Sequence, residues 1–340
     1  MRTVLPPTNV KRFTRRQYGL ISTAQCDRLN ISPQRRRTLV ARGLWNRVVR
    51  GVYDTEPRAL WDLDERRRRT AWIGLLAMGA KAIAVGSCAL ALHGVAGLPQ
   101  DLEPEVALPD NRSVRGPPGV RVRRYSDVPV RVKFASRAVS DVPTALVHTL
   151  PRLTREHAVA VLDSALNKDL ITPQDLPDLR QRLRGRRGSV RARRWLSLAD
   201  GRAQSPLETW ARLDCIDHDL PPNELQVPLL RSDGSVFGYG DMGWRRCDGG
   251  WVVVEMDGQD VHSAPQALFR DRERQNQILI RAGTVLLRFT IHEVRQPGTI
   301  ARHVHQALTA ATPATPLRPA TPSSLIPPGG VPDTPATRRE

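Results

Sequence analysis

The chain has 340 residues, of which 40% are hydrophobic, and 52 Lys and Arg against 34 Asp and Glu give it a net charge of +18. This length predicts two or three domains, and the composition is sufficient for folded cores and excludes global disorder. No apolar run reaches the roughly 18 residues of a membrane span, so we expect no membrane partner. The four cysteines are widely separated and form no CxxC pair, which disfavours a zinc ribbon or a disulfide framework and predicts a cytoplasmic protein.

The basic charge is concentrated at the N-terminal end. Residues 1–50 hold 12 basic residues and one acidic residue, whereas residues 201–300 hold 11 basic and 14 acidic residues. GC-rich codons could explain why 48 of the 52 basic residues are arginine, but they do not explain why the excess lies at one end. A basic module predicts contacts with phosphate, and DNA is the expected partner.

The first predicted elements are two short helices. A capping box formed by Ser22 and Gln25 opens the first helix, and Ser32 followed by Pro33 opens a second helix that Gly43 ends. Two short apolar segments then flank a turn, which predicts a hairpin.

Two helices followed by a hairpin over residues 45–53 predict a winged helix-turn-helix DNA-binding domain in residues 1–56. The second helix of such a domain enters the major groove, and the hairpin forms the wing. An ordinary solvated surface is the alternative, but basic side chains in a first turn oppose the helix dipole, which favours an external anion. The predicted DNA contacts are Arg35, Arg36 and Arg37 on the helix and Arg47 and Arg50 on the wing.

Residues 57–200 predict a mixed α/β middle region without a catalytic constellation. Four consecutive arginines at 66–69 predict a solvated helix face, and the Arg-rich segment 180–194 predicts a basic linker or a contact with the DNA backbone. The expected elements are a helix over 60–78, a second helix that follows residues 85–87 and ends at 92, strands over 106–108, 120–125 and 130–134, and helices over 143–150, 154–167 and 173–183.

Residues 201–311 predict a second α/β unit, and residues 312–340 predict a disordered tail rich in Pro, Ala and Thr. The fold class expected for the whole chain is therefore α/β. The expected elements of the second unit are a helix over 205–217, strands over 225–230, 237–242 and 251–256, a helix over 265–282, a strand over 284–289 and a closing helix over 301–310.

Acidic residues fall at particular places in this second unit. Glu208 lies in the first turn of its opening helix, Asp241 lies at a strand end, and Glu255 and Asp257 share one face of the next strand. A carboxylate on a Val-rich buried strand is costly unless it is paired or binds a metal. Asp241, Glu255 and one backbone carbonyl would form the oxygen-rich site that suits Mg²⁺, and His262 follows within reach.

Five separated motifs within residues 203–296 resemble a known family. In their order and spacing they are similar to the Vsr-like domain of unknown function 559, which belongs to the PD-(D/E)XK restriction-endonuclease-like superfamily. The resemblance implies a restriction-endonuclease-like C-terminal domain and a metal-dependent endonuclease that hydrolyses phosphodiester bonds in DNA. The motifs are Ser205-Pro206-Leu207-Glu208, Gly240-Asp241-Met242, Val254-Glu255-Met256-Asp257-Gly258 with His262, Asp271-Arg272-Glu273-Arg274-Gln275-Asn276, and Leu286-Leu287-Arg288-Phe289-Thr290.

The resemblance also implies roles for individual residues. Asp257 takes the place where the superfamily motif usually has Lys, so the usual residue for activating water is missing. Capping alone also explains Glu208, and a turn explains Asp257. The implied roles are Mg²⁺ or Mn²⁺ ligation by Asp241 and Glu255, completion of the acidic cluster by Glu208, proton transfer by His262, and phosphate contact or bracing of the cluster by Arg274 and Asn276.

The N-terminal segments Tyr18-Gly19-Leu20-Ile21 and Arg50-Gly51-Val52-Tyr53 resemble the winged helix of AbiEi-type antitoxins of type IV toxin–antitoxin systems, and residues 86–94 are similar to the segment that follows it there. This resemblance implies a toxin protein encoded nearby as a partner. Two functions therefore stay open: a targeted endonuclease, and a DNA-binding regulator or antitoxin without turnover. An RNA-processing enzyme is a third, although 5% aromatic residues offer little surface for base stacking.

Overall fold

The structure is a computed structural model that describes residues 8–110, 114–125, 130–230, 234–257 and 284–310. Helices and three mixed or antiparallel sheets make up these ranges, which confirms the α/β class. The strands are β1 Leu20–Ser22, β2 Asn46–Val49, β3 Val52–Asp54, β4 Ile83–Ala84, β5 Glu105–Ala107, β6 Arg121–Arg123, β7 Arg131–Phe134, β8 Arg137–Ser140, β9 Glu224–Leu230, β10 Val236–Arg245, β11 Trp251–Asp257 and β12 Thr284–Thr290.

Each of the three sheets is accompanied by helices of the same part of the chain. We name these parts the N-terminal unit (residues 8–56), the middle unit (57–200) and the C-terminal unit (201–310). They are α1 Thr8–Thr14, α2 Thr23–Arg28, α3 Pro33–Ala41, α4 Leu63–Met78, α5 Gly86–Leu92, α6 Val142–Thr149, α7 Arg155–Asn167, α8 Leu176–Arg182, α9 Ser189–Trp195, α10 Pro206–Asp217, α11 Ile291–Val294 and α12 Thr299–Thr309.

The N-terminal unit contains the predicted helices and hairpin. At the start of α2, the hydroxyl of Ser22 accepts a hydrogen bond from the Gln25 backbone N–H at 3.2 Å, and the Gln25 side chain accepts one from the Ser22 N–H at 2.9 Å. Gly43 stops α3 with a φ of +64°, a conformation that costs glycine little. Strand β3 pairs with β1 on one side and β2 on the other. The buried core of the unit consists of Val10, Ile21, Cys26, Ile31, Leu39 and Trp45.

The four-arginine run on α4 differs from the solvated face that the sequence predicts. Arg69 forms an ion pair with Asp54 and donates to the backbone carbonyl of Tyr18, so it ties α4 to the N-terminal unit. Arg67 is 8% exposed and donates to the carbonyl of Pro99 at 3.0 Å. The prediction was wrong for these two residues because their long side chains reach partners that are distant in sequence.

The middle unit packs its helices on a five-stranded sheet with the order β6-β5-β4-β8-β7. Strand β4 pairs antiparallel with β5 and parallel with β8, and it is buried at the centre. The sequence predicts neither β4 nor β8. The first has only two residues, and the second, Arg-Ala-Val-Ser, carries too little apolar alternation to indicate a strand.

The C-terminal unit is built on a four-stranded sheet with the order β12-β11-β10-β9. Strands β9, β10 and β11 form an antiparallel meander, and β12 pairs in parallel with β11 along seven residues. Parallel neighbours need a crossover connection, and in the sequence residues 258–283 lie between β11 and β12. The helix predicted over 265–282 falls in this segment, outside the described residues. Strand β10 continues three residues beyond its predicted end, to Arg245, so the prediction that Asp241 lies at a strand end was wrong and Asp241 lies inside the strand.

Helix α10 joins the C-terminal unit to α7 of the middle unit. The guanidinium of Arg212 pairs with Asp163 at 2.7 Å, and these side chains are only 8% and 2% exposed. The Thr209 hydroxyl donates to the same carboxylate at 2.7 Å. At the far end of α10, Asp217 pairs with Arg155 on the surface. The helix therefore packs in both units, across the domain boundary predicted at residue 200.

In the part of the chain that the structure describes, no helix is both long enough and apolar enough to cross a membrane.

Candidate functional site

Two exposed basic groups lie on neighbouring elements of the N-terminal unit. Arg35 and Arg37 are exposed on α3, whose first turn holds no acidic residue. Arg47 and Arg50 are exposed on the β2–β3 hairpin. The arrangement presents four cationic side chains from one helix and one hairpin.

Arg36 differs from its two neighbours on α3. Its side chain is 7% exposed and forms an ion pair with Asp27 of α2 at 2.6 Å. It also donates to the backbone carbonyl of Thr23 at 3.2 Å. The sequence-based assignment of Arg36 as a DNA contact is therefore corrected, because its guanidinium is used within the unit to hold α2 against α3.

The strands β10 and β11 bring two of the predicted site residues close together. The carboxylate of Asp241 accepts a hydrogen bond from the backbone N–H of Met256 at 2.7 Å, so it lies beside the residue that follows Glu255. Glu255 is 7% exposed and ends a run of three buried valines. Its register partner on β12, Arg288, donates to it from Nε at 3.1 Å.

Glu208 lies on the first turn of α10, next to β9. Its backbone N–H is capped by the Ser205 hydroxyl at 3.2 Å, while its carboxylate accepts from the Gln204 N–H at 2.9 Å and from the Gln226 amide at 3.2 Å. Burial raises the pKa of Glu208, although these hydrogen bonds oppose the shift. Gln226 belongs to β9, which pairs with β10, so Glu208 is connected through one side chain to the sheet that carries Asp241.

The remaining predicted residues are either at the margin of the described site or beyond it. Asp257 is the last residue of β11, is exposed, and lies opposite Thr290 of β12. His262, Arg274 and Asn276 lie outside the described residues, and their roles stay predictions.

The donor set available on these two inner strands of the sheet consists of carboxylate oxygens, which suit a hard divalent cation. Asp241 and Glu255 thus fit a ligand pair for Mg²⁺ or Mn²⁺. Within the described ranges, however, no group of three or more His, Cys, Asp or Glu side chains is close enough together to hold a metal ion. Glu208, the predicted third acid, points to Gln204 and Gln226 instead.

Sequence reasoning gave no role to Arg288 and Gln226. Arg288 stands alone among apolar residues on β12, a pattern that indicates a buried charge with a partner. Gln226 adopts a φ of +55° within β9, and this local irregularity has no signature in the sequence.

These features define a mixed α/β protein with a basic N-terminal surface and a C-terminal sheet whose inner strands carry the acidic residues Asp241 and Glu255. The chain is 33% identical over 244 residues to Uncharacterized protein Rv2248 of Mycobacterium tuberculosis strain H37Rv, a match that covers 68% of this chain and 85% of the relative. The same figures hold for Uncharacterized protein MT2308 of strain CDC 1551. The chain therefore belongs to the same family as these two proteins. No model of a known protein family matches it.

Proposed function

We propose that this chain is a DNA endonuclease in which the N-terminal unit binds DNA and the C-terminal unit hydrolyses phosphodiester bonds with bound Mg²⁺ or Mn²⁺. The observation that carries the proposal is the pair formed by Asp241 and Glu255 on adjacent strands. Glu255 is 7% exposed at the end of a valine run and pairs with Arg288, and because Asp241 lies on the adjacent strand, the two carboxylates are placed to share one divalent cation.

DNA binding is supported by the exposed arginines of the N-terminal unit. Arg35 and Arg37 project from α3, and Arg47 and Arg50 from the following hairpin. A helix and a hairpin that both carry basic residues match the way a recognition helix and a wing contact a duplex. Guanidinium groups suit this role because they bind phosphate with two parallel hydrogen bonds.

In this proposal the residues of the C-terminal unit have distinct tasks. Asp241 and Glu255 would hold the metal, whose chemistry is to lower the pKa of a bound water and to stabilise charge on the scissile phosphate. Arg288 compensates the charge of Glu255 and, because arginine keeps its proton at neutral pH, it can stabilise a phosphate but cannot accept a proton. Asp257 is exposed at the end of β11, where its carboxylate would orient water or accept a proton.

The test is cleavage of plasmid and single-stranded DNA by the purified protein in Mg²⁺ or Mn²⁺. We expect Asp241→Asn and Glu255→Gln each to lower the cleavage rate by at least about a hundredfold, because each removes a charged metal ligand without changing its shape. Glu224→Gln is the matched control, since Glu224 is exposed on β9 and outside the pair. Equal cleavage by wild type and Glu255→Gln on every substrate would show that the catalytic assignment is wrong.

A second candidate function is a DNA-binding regulator or antitoxin that does not turn over, with a toxin encoded nearby as its partner. It is favoured by the ion pair between Glu255 and Arg288 and by the hydrogen bond from Met256 to Asp241, because these contacts compensate both carboxylates without a metal. The acidic residue Asp257 in place of a lysine favours it as well.

The regulator is tested by the binding of its own promoter DNA at several salt concentrations. We expect the double variant Arg35→Ala and Arg37→Ala to bind more weakly and with a slope of log K against log salt that is shallower by about two, one for each lost phosphate contact. Arg36→Ala should instead lower the unfolding midpoint, since its partner Asp27 lies within the unit.

The charge-matched control for this experiment is the double variant Arg184→Ala and Arg194→Ala, which removes two exposed arginines from the middle unit. A failure of the wild type to shift promoter DNA at low salt would exclude the regulator. Retention of the full salt slope in the Arg35 and Arg37 variant would exclude α3 as the contact.

A further inference from the structure

A cleft of about 670 Å³ opens in the middle unit, away from both sites described above. It lies between the end of β6, the end of α6 with the turn that follows it, and the turn before α9. Basic side chains dominate its lining, and we name it the arginine pocket. Its arginines are Arg123, Arg124, Arg152, Arg186, Arg187 and Arg191.

A buried carboxylate holds two of these arginines in place. Glu105 is 3% exposed and accepts two hydrogen bonds from Arg152, at 2.6 and 2.9 Å, and one from Arg123 at 2.7 Å. The position of Glu105 depends on Gly86, because a Cβ atom there would lie 2.1 Å from Glu105 Oε1. The guanidinium groups of Arg123 and Arg152 are therefore oriented before any ligand arrives.

The other side of the pocket is formed by a turn that is pressed against the chain after α6. Gly188 has a φ of +82°, and a Cβ atom on it would lie 2.4 Å from the carbonyl oxygen of Pro151. This close approach fixes the turn that carries Arg186 and Arg187 and brings Arg191 of α9 to the pocket. The packing of Gly188 against Pro151 therefore places Arg186, Arg187 and Arg191 at one pocket.

One wall of the pocket is aromatic. Tyr125 stacks on His148 with ring centroids 4.0 Å apart and planes at 25°. Burial, helped by the neighbouring arginines, lowers the pKa of His148 to about 4. The Nδ1 atom of His148 is buried and has no hydrogen-bond partner among the described residues.

We infer that the arginine pocket binds a ligand with closely spaced phosphate groups, either the phosphate chain of a nucleotide or consecutive phosphates of a nucleic-acid strand. Six arginines line the cleft and its described lining contains no acidic residue, while the buried Glu105 pairs with two of them, Arg123 and Arg152, so an external polyanion would balance the remaining positive charge. Guanidinium groups bind phosphate oxygens in pairs, and the volume is in the range of sites for small molecules.

This site is independent of the proposed cleavage chemistry, because it shares no residue with the N-terminal contacts or with the pair Asp241 and Glu255. It also gives a role to the Arg-rich segment 180–194, for which the sequence allows two interpretations, a basic linker or a contact with the DNA backbone. Of that segment, Arg186, Arg187 and Arg191 line the pocket, whereas Arg184 and Arg194 do not.

The test compares two double variants of the full chain that remove the same charge. One is Arg187→Ala with Arg191→Ala in the pocket, and the other is Arg184→Ala with Arg194→Ala on the same turn and helix, where both residues are exposed. Calorimetric titration with pyrophosphate, ATP and a short DNA duplex at low salt gives the affinities. Equal thermal unfolding midpoints of the two variants show that any difference in binding is local.

We expect the pocket variant to lose at least about tenfold in affinity, since each lost charge-assisted contact accounts for about that factor, and the control to stay within about twofold of wild type. Pocket-dependent binding of pyrophosphate and ATP identifies a nucleotide as the source, and pocket-dependent binding of the duplex alone identifies a nucleic-acid strand. Equal losses in both variants, or no binding of any probe by wild type, would overturn the inference.

A second readout locates the ligand. Saturation with pyrophosphate should raise the pKa of His148, followed by its NMR signals, because a nearby anion stabilises the protonated ring. Saturable binding that leaves this titration unchanged would also overturn the inference. Neither readout depends on DNA cleavage, so this inference and the proposed function fail separately.

Discussion

His148 occupies a position in which the uptake of a proton is costly. Burial is the largest cause of its lowered pKa of about 4, compared with an ordinary 6.5. Its ring stacks on Tyr125 at the edge of the arginine pocket, where an added positive charge would meet others. The charged groups that act on it are, in order of effect, Arg186, Arg152, Arg182 and Glu105, and only the last opposes the shift.

The pKa of His148 predicts how stability changes with pH. The unfolded chain binds this proton near pH 6.5 and the folded chain only near pH 4, so the stabilising contribution is complete above 6.5 and is lost as the pH falls towards 4. His148→Phe keeps an aromatic ring against Tyr125 and cannot be protonated. We expect its urea midpoint to fall less than that of wild type between about pH 7 and about pH 5. An equal fall in both proteins would contradict this.

Single residues also show where sequence patterns were ambiguous. Arg35 and Arg37 are exposed as the sequence predicts, yet Arg36 between them is buried against Asp27. Position in a run of arginines does not distinguish these cases. The direction of each side chain depends on its place around α3, and the acceptor on α2 becomes a neighbour only after the helices pack.

At the scale of elements, α10 stands out because the same helix is packed into two units. Its inner contact with α7 is the buried ion pair of Arg212 and Asp163, supported by Thr209. Its outer contact is the surface pair of Asp217 and Arg155, with side chains 45% and 27% exposed. Buried and exposed ion pairs respond differently to the loss of one partner.

This difference predicts unequal costs for two substitutions on facing helices. Asp163→Ala leaves the Arg212 charge buried without its partner and should lower the free energy of unfolding by about 3–5 kcal/mol. Asp217→Ala removes an exposed bridge and should cost at most about 1 kcal/mol. Urea denaturation measures the free energy of unfolding of both variants. Similar decreases in the two variants would show that the ion pair of Asp163 and Arg212 does not stabilise the packing of α10 on α7.

The predicted elements succeeded where the local signal was strong. Capping residues Ser22 and Ser32 place the starts of α2 and α3, and apolar runs place β9, β11 and β12 to within one residue. The two-residue strand β4 and the polar strand β8 were missed because their strand geometry depends on neighbours in the sheet.

For the whole molecule, the sequence predicts the α/β class, which the structure confirms, whereas the contacts between the three units could not be predicted. Within the C-terminal unit it places Asp241 and Glu255 on neighbouring strands, while the pairing of Glu255 with Arg288 requires the register of β11 and β12. The arginine pocket could not be predicted either, because its residues come from three segments of the middle unit that only tertiary packing brings together.

The uneven charge of the chain has a structural counterpart at this scale. The basic excess is carried by the N-terminal surface and by the arginine pocket, whereas the slightly acidic residues 201–300 contain Asp241 and Glu255. A polyanion would therefore be attracted first by the basic units, and the acidic unit would approach it only where a cation offsets the repulsion.

The buried contact between α10 and α7 has a consequence for the position at which DNA would be cleaved. Two units linked by a flexible tether would sample many separations, and cleavage would be scattered along the DNA on either side of the bound site. Here the helix that begins the C-terminal unit is locked to α7 by Asp163 and Arg212. Under the proposed function the protein would act as a molecular ruler, because it would cleave DNA at one fixed distance from the site that it binds.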